Sequence, residues 1–178
     1  MEDDRLDLGL VDTVEATDVG EPGQRTFKIT VASPRGEAVI WMEKEQMFQI
    51  GLAIKQFITV EERPSSPTPY EPEYPAPPTP GKSEFKASEM RIRHDLRSDV
   101  FTVEATDPDS EAEDDNEEPA TTVQFSFTRE VAAGLSEAAL EAVSKGRPRC
   151  ELCGGPKDPG GHVCPKTNGH HKGDFELA

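Results

Sequence analysis

Eight prolines fall within the seventeen residues Pro64 to Pro80, "PSSPTPYEPEYPAPPTP". Proline lacks a backbone N–H and fixes φ near −65°, so a run this dense excludes both helix and central strand. The segment must be an exposed, semi-extended connection with polyproline-like stretches, carrying Tyr70 and Tyr74 on its surface. It divides the chain into two lengths that must each supply their own regular structure. A spacer is the simpler reading; a ligand for a proline-recognising domain rests on composition alone.

The first length reads as three strands and a helix. "LGLVDTVEAT" (Leu8 to Thr17) and "RTFKITVAS" (Arg25 to Ser33) alternate apolar and polar residues, and "GEPGQ" between them is a turn with Pro22-Gly23 at its centre, as a type II turn requires. "PRG" at Pro34 to Gly36 is a second turn, and "EAVIWM" a short buried strand. From Glu43 the period changes. Met47, Ile50, Gly51, Ile54 and Ile58 recur at helical spacing, which predicts an amphipathic helix to about Val60.

After the prolines the pattern returns. "SEFKASEMRIRHD" and "DVFTVEAT" form a predicted hairpin, "TTVQFSFT" a third strand, and "REVAAGLSEAALEAVSKG" a second helix capped at Gly146. Lys44 aligns with Arg129, Glu45 with Glu130, Ile40 with Phe125 and Met42 with Phe127. The same offset places Met47, Ile50, Ile54 and Ile58 over Ala132, Leu135, Ala139 and Val143. The expected fold is α+β: two βββα repeats forming one or two antiparallel sheet layers with two helices, followed by a zinc-knuckle-like tail. The expected divisions are a first repeat over 5–60, a proline-rich linker over 61–82, a second repeat over 83–146 with an acidic loop at 107–119, and a Cys/His tail over 147–178.

Charge is distributed as unevenly as structure. The formal net charge is −16, and eight acids with no base lie between Asp107 and Glu118. Between residues 145 and 172, six bases (Lys145, Arg147, Arg149, Lys157, Lys166, Lys172) meet only Glu151 and Asp158. A basic tail on an acidic protein is an expected contact surface for a protein partner or an anionic ligand. Nucleic acid is disfavoured, because 35 acids against 19 bases repel a polyanion and no aromatics are interleaved for stacking. The opening "MEDDRLDLG" has no apolar signal region, and no run reaches the ~18 apolar residues of a membrane span, so a soluble cytoplasmic protein is expected.

All three cysteines and three of the four histidines lie in "CELCGGPKDPGGHVCPKTNGHH", Cys150 to His171. Zinc takes thiolate and imidazole in a tetrahedral shell, and Cys150-x-x-Cys153-Gly154 has the spacing of a knuckle that aims two sulfurs at one metal. Cys164 returns as third ligand. His162 is the expected fourth, with His170 or His171 as alternatives; because His162 and Cys164 point apart in an extended chain, the backbone must turn there. A redox CxxC is disfavoured, since it follows no strand and opens no helix. No Walker A loop, GxSxG or HExxH is present. Arg25, just after a turn, either binds an anion or braces the hairpin. With Glu45 it is also the natural lining of a cleft between repeats, should the chain be an enzyme or enzyme subunit.

Taken together, "LGLVDTVEATDVGEPGQRTF", "WMEKEQ" and "GRPRCELCGGPKDPGGHVCPKTNG" resemble an uncharacterised repeat-protein family, a domain of unknown function found mainly in actinobacteria and their relatives. Carried over position by position, the tail motif covers Cys150, Cys153, Gly154, Pro156, Asp158, Pro159, Gly161, His162, Cys164, Pro165, Asn168 and Gly169, and it adds weight to His162. Two positions depart from it: Lys166 stands where arginine is typical and His170 where an aromatic residue follows Asn-Gly, which keeps His170 open as a ligand. The resemblance implies no activity. It implies only a pathway shared with neighbouring genes for a histidine-phosphatase-like and a kinase-like protein.

Overall fold

In a computed structural model of the chain, residues 5–21, 23–107, 122–145, 150–153, 157, 162–164 and 166 are described. The first length contains strands β1 (Arg5–Leu10), β2 (Val14–Val19), β3 (Thr26–Ser33) and β4 (Gly36–Met42), then helix α1 (Lys44–Val60). The second contains β5 (Gly81–Lys86), β6 (Glu89–Asp95), β7 (Val100–Thr106) and β8 (Thr122–Thr128), then α2 (Arg129–Ser144). The expected βββα units are β2-β3-β4-α1 and β6-β7-β8-α2, each preceded by one further strand. The acidic loop lies outside the described residues apart from Asp107.

The local reasons follow the sequence closely. In β3, Phe27, Ile29 and Val31 are buried in alternation, and in β4 so are Ala38, Ile40 and Met42. Glu21 accepts a hydrogen bond from the Gln24 N–H at 2.9 Å and Gly23 has φ +93°, as the expected type II turn demands. Pro22 itself lies outside the described residues. Helix α1 opens on a capping box: the Glu43 N–H donates to Gln46 Oε1 at 2.8 Å, and the Glu43 side chain accepts from the backbone N–H of Gln46. Helix α2 is capped by Thr128, whose side chain accepts from the Val131 N–H. Met47, Ile50, Gly51 and Ile54 of α1 are buried, as are Ala132, Leu135, Ser136 and Ala139 of α2. Gly51 and Ser136 stand 85 residues apart at equivalent helical positions, and they meet: Ser136 Oγ donates to the Gly51 carbonyl at 2.7 Å. The two repeats therefore join at matching points of their helices.

Sheet topology departs from two self-contained units. One sheet has the order β1-β8-β7-β6 and the other β2-β3-β4-β5. Pairing is antiparallel within each unit and parallel between them: β1 joins β8, the last strand of the second unit, and β5 joins β4, the last strand of the first. Leu8 to Thr17 is thus two strands rather than one. The alternation breaks where Leu8 and Val11 are both buried, and a bulge with the Gly9 N–H bonded to Asp7 Oδ1 at 2.8 Å bends the chain. "SEFKASEMRIRHD" divides similarly at Ala87 and Ser88. The Ala87 N–H donates to Trp41 in one sheet and the Ser88 N–H to Thr106 in the other, so adjacent residues change sheets.

A single hydrophobic cluster joins Phe27, Ile29 and Ile40 from one sheet, Phe101, Phe125 and Phe127 from the other, and Met47, Ile54 and Leu135 from the helices. No described helix is long and apolar enough to cross a membrane.

Candidate metal centre

Beyond α2, Cys150 to Cys153 forms a tight turn in which the backbone N–H groups of Cys153 and Leu152 donate to the Cys150 sulfur. These donors pull the thiol down to about 6 against the opposing effect of burial. The x-x spacing lets two backbone N–H groups reach one sulfur and stabilise a thiolate, the form that binds metal. All three cysteines are thiols rather than disulfide-bonded.

Cys150, Cys153, His162 and Cys164 each bring one donor atom into a group whose members all lie within 4.8 Å of one another. Cys150 Sγ and Cys164 Sγ are 3.8 Å apart, and Cys153 Sγ and His162 Nε2 are 3.3 Å apart. For Zn–S of ~2.3 Å and Zn–N of ~2.0 Å, the edges of a tetrahedral shell are about 3.8 Å between sulfurs and about 3.5 Å between sulfur and nitrogen. The donor set fits a metal ion in both chemistry and spacing. Cys150 and Cys164 are buried, while Cys153 and His162 are half-buried. His162 and Cys164 bring their donor atoms to the same group despite their alternate positions in the chain.

Other sequence-derived candidates fall elsewhere. His170, His171, Arg147, Arg149 and most of the remaining motif positions lie outside the described residues, and Lys166 is exposed. Arg25 braces. Its guanidinium donates to Asp18 Oδ2 at 2.9 Å and to the Ala142 carbonyl in the last turn of α2 at 3.1 Å, lies 5.8 Å from the Phe27 ring, and leaves the side chain 9% exposed. Glu45 accepts from the Gln49 side chain on its own helix at 2.7 Å, and neither Glu45 nor Arg25 lines the cavity under the proline-rich segment or the one between the two helices.

One buried ionic cluster was not legible beforehand. The His94 side chain, wholly buried and stacked on Phe101, places Nδ1 against Glu61 and Nε2 2.9 Å from Asp99 Oδ1. Arg129 Nε donates to both Asp99 oxygens at 2.9 Å, and Arg63 Nε to Oδ2 at 3.3 Å. Burial acts to raise the Asp99 pKa, but hydrogen bonds from Arg129, His94 and Arg63 outweigh it and hold the carboxyl below its ordinary range. The polar groups face one another rather than a ligand, so the cluster ties α1, the β6–β7 turn and α2 together.

No curated protein and no solved structure matches the chain. The family described as "Protein of unknown function (DUF3090)" matches residues 7–164, a span that contains both βββα units and ends on the last of the four donors. The chain belongs to that family of unknown function, as a member whose C-terminal segment assembles a Cys/Cys/His/Cys cluster able to chelate a metal ion.

Proposed function

We propose that the protein is a non-enzymatic, cytoplasmic zinc-binding interaction module, in which Cys150, Cys153, His162 and Cys164 hold a structural zinc. The carrying observation is the convergence of three thiols and one imidazole within 4.8 Å. Three sulfurs and a nitrogen are soft enough to select zinc over magnesium or calcium, and four protein ligands fill a tetrahedral shell with no position left for substrate. Bound there, zinc would cross-link Cys150, Cys153, His162 and Cys164, none of which belongs to the hydrophobic cluster of the repeats. Arg147, Arg149 and Lys166 flank the ligands in sequence, and this basic surface is the contact we assign to a protein partner or anionic ligand. We take the Cys-x-x-Cys-Gly-x-Pro-x-Asp-Pro-x-Gly-His-x-Cys-Pro motif to be the signature of this tail across the actinobacterial relatives.

The test is elemental mass spectrometry on protein purified without added metal. One zinc per chain is expected, lost in His162→Ala and kept in His170→Ala. Cys153→Ser should also lose the metal while preserving the far-ultraviolet circular dichroism of the repeats. Metal-free protein with three freely titratable thiols would overturn the proposal.

A further inference from the structure

The duplication supplies an internal comparison that singles out one sheet face. At the 85-residue offset set by Gly51 and Ser136, Gln124 and Ser126 of β8 correspond to Val39 and Trp41 of β4. Val39 and Trp41 are half-exposed, whereas Gln124 and Ser126 are each only 1% exposed. The more buried pair is thus the polar one, the reverse of what burial alone favours. The register extends the polar set across the sheet: Ser126 pairs with Thr102 and Thr102 with Arg93, while Gln124 pairs with Glu104 and Asp7.

Part of the proline-rich segment covers this face. The Thr68 N–H donates to the Arg97 carbonyl at 2.9 Å at one end of the cover, and Arg35 donates to the Tyr74 carbonyl at 3.0 Å at the other. The Arg5 guanidinium also sits 4.6 Å from the centre of the Tyr74 ring. Between these anchors the segment meets the sheet only in part, where Glu73 reaches Arg93 at 3.1 Å. It leaves a cavity of about 570 Å³, lined by Tyr70, Glu71 and Glu73 from the cover and by Thr102, Gln124 and Ser126 from the floor, among others. That volume suits a ligand of sugar size.

Hydrogen-bond accounting indicates what the cavity takes. Thr102 Oγ1 and Ser126 Oγ are 2.9 Å apart, so one hydroxyl proton lies between them and the other remains to be placed. Among the described residues Gln124 makes only long contacts, to Glu73 at 3.4 Å, Arg5 at 3.4 Å and Arg93 at 3.5 Å, all at the outer limit for a hydrogen bond. An amide this buried gains from a better partner. The lining cation, Arg93, is already paired with Glu73 at 3.1 Å. Glu71 and Asp95 add negative charge to the lining, which disfavours phosphate and carboxylate ligands. Among the carboxylates, Glu73 is occupied by Arg93, and Asp95 accepts from Ser98 at 2.6 Å and from the Arg97 N–H at 3.0 Å. The hydroxyls and the amide can both donate and accept, whereas the Glu71 carboxylate only accepts; ligand hydroxyls use both capacities, while an amine cation, which only donates, leaves the lining's donors unused.

We infer that the cavity between the proline-rich segment and the β6-β7-β8 face binds a small, uncharged, polyhydroxylated molecule of mono- or disaccharide size. Tyr70 packs against its ring, and Glu71, Gln124 and Ser126 bond its hydroxyls. The site is independent of the metal centre and stands or falls separately from it. Saturation-transfer NMR on the full-length protein would use glucose, galactose and trehalose as neutral probes, glucose 6-phosphate as the anionic comparator and putrescine as the amine. At least one neutral sugar should bind saturably, at least fivefold more tightly than glucose 6-phosphate. Tyr70→Ala, which leaves the core untouched, and Ser126→Ala should each weaken that binding at least fivefold, with thermal melts reporting that the variants are folded. Absence of saturable binding by all three sugars, binding unchanged in both folded variants, or binding of putrescine alone would overturn the inference.

Discussion

Asp99 draws side chains from three separate segments onto one carboxylate. It adopts φ +56°, is 7% exposed, and accepts from Arg129, Arg63 and His94 at once. Its depressed pKa stabilises the fold above the ordinary carboxylate value of about 3.9, and this contribution is lost as pH falls through the lower folded value. Asp99→Asn tests the charge rather than the backbone, because asparagine also tolerates a left-handed conformation. Urea melts should show the variant less stable by about 3 kcal/mol at pH 7, with the gap to wild type narrowing below about pH 4. A gap that stays constant down to pH 3 would assign the loss to shape rather than charge. This cluster was hidden in the sequence because its members are dispersed: His94 meets Glu61 across 33 residues, and Arg129 meets Asp99 across 30. The metal donors, by contrast, lie within a short stretch whose spacing is itself the signal.

Strand exchange is the decisive feature among the elements. Each unit's leading strand completes the other unit's sheet, so neither four-stranded sheet is complete within one unit. Chains spanning 1–63 and 64–178, expressed separately, should lack a cooperative thermal transition, and mixing them should restore one by circular dichroism. A cooperative transition in either half alone would contradict the importance of the exchange. The parallel joint also leaves no room at Gly36, which has φ +148° and where an added Cβ would come within 2.3 Å of the Gly81 carbonyl oxygen. Gly36→Ala should therefore cost about 2 kcal/mol or more in denaturant melts. Helix positions and the β6–β7 hairpin were readable from period and punctuation, because they depend on neighbours a few residues away, whereas the expected cap at Gly146 lies outside the described residues. The parallel pairs were not, because an alternating strand shows which face is buried but not which edge it joins.

For the whole molecule, one hydrophobic cluster spans both sheets and both helices, so the repeats should unfold as a unit while the tail responds to metal separately. With zinc held as proposed, a chelator such as EDTA should strip it and leave the main thermal midpoint within a few degrees of its starting value. A collapse of that midpoint would show that the metal holds the repeats as well. The helix starts, the inward residues of β3, β4 and β8 and the four-donor set were present in the residue order, since periodicity, capping and ligand spacing are local properties of a chain. Three things required the folded molecule: the exchange of β1 and β5, the ionic knot at Asp99, and the covered polar face beneath Tyr70. Each depends on segments far apart in sequence coming into contact, where the balance of burial, pairing and desolvation is set by the partner and not by the residue itself.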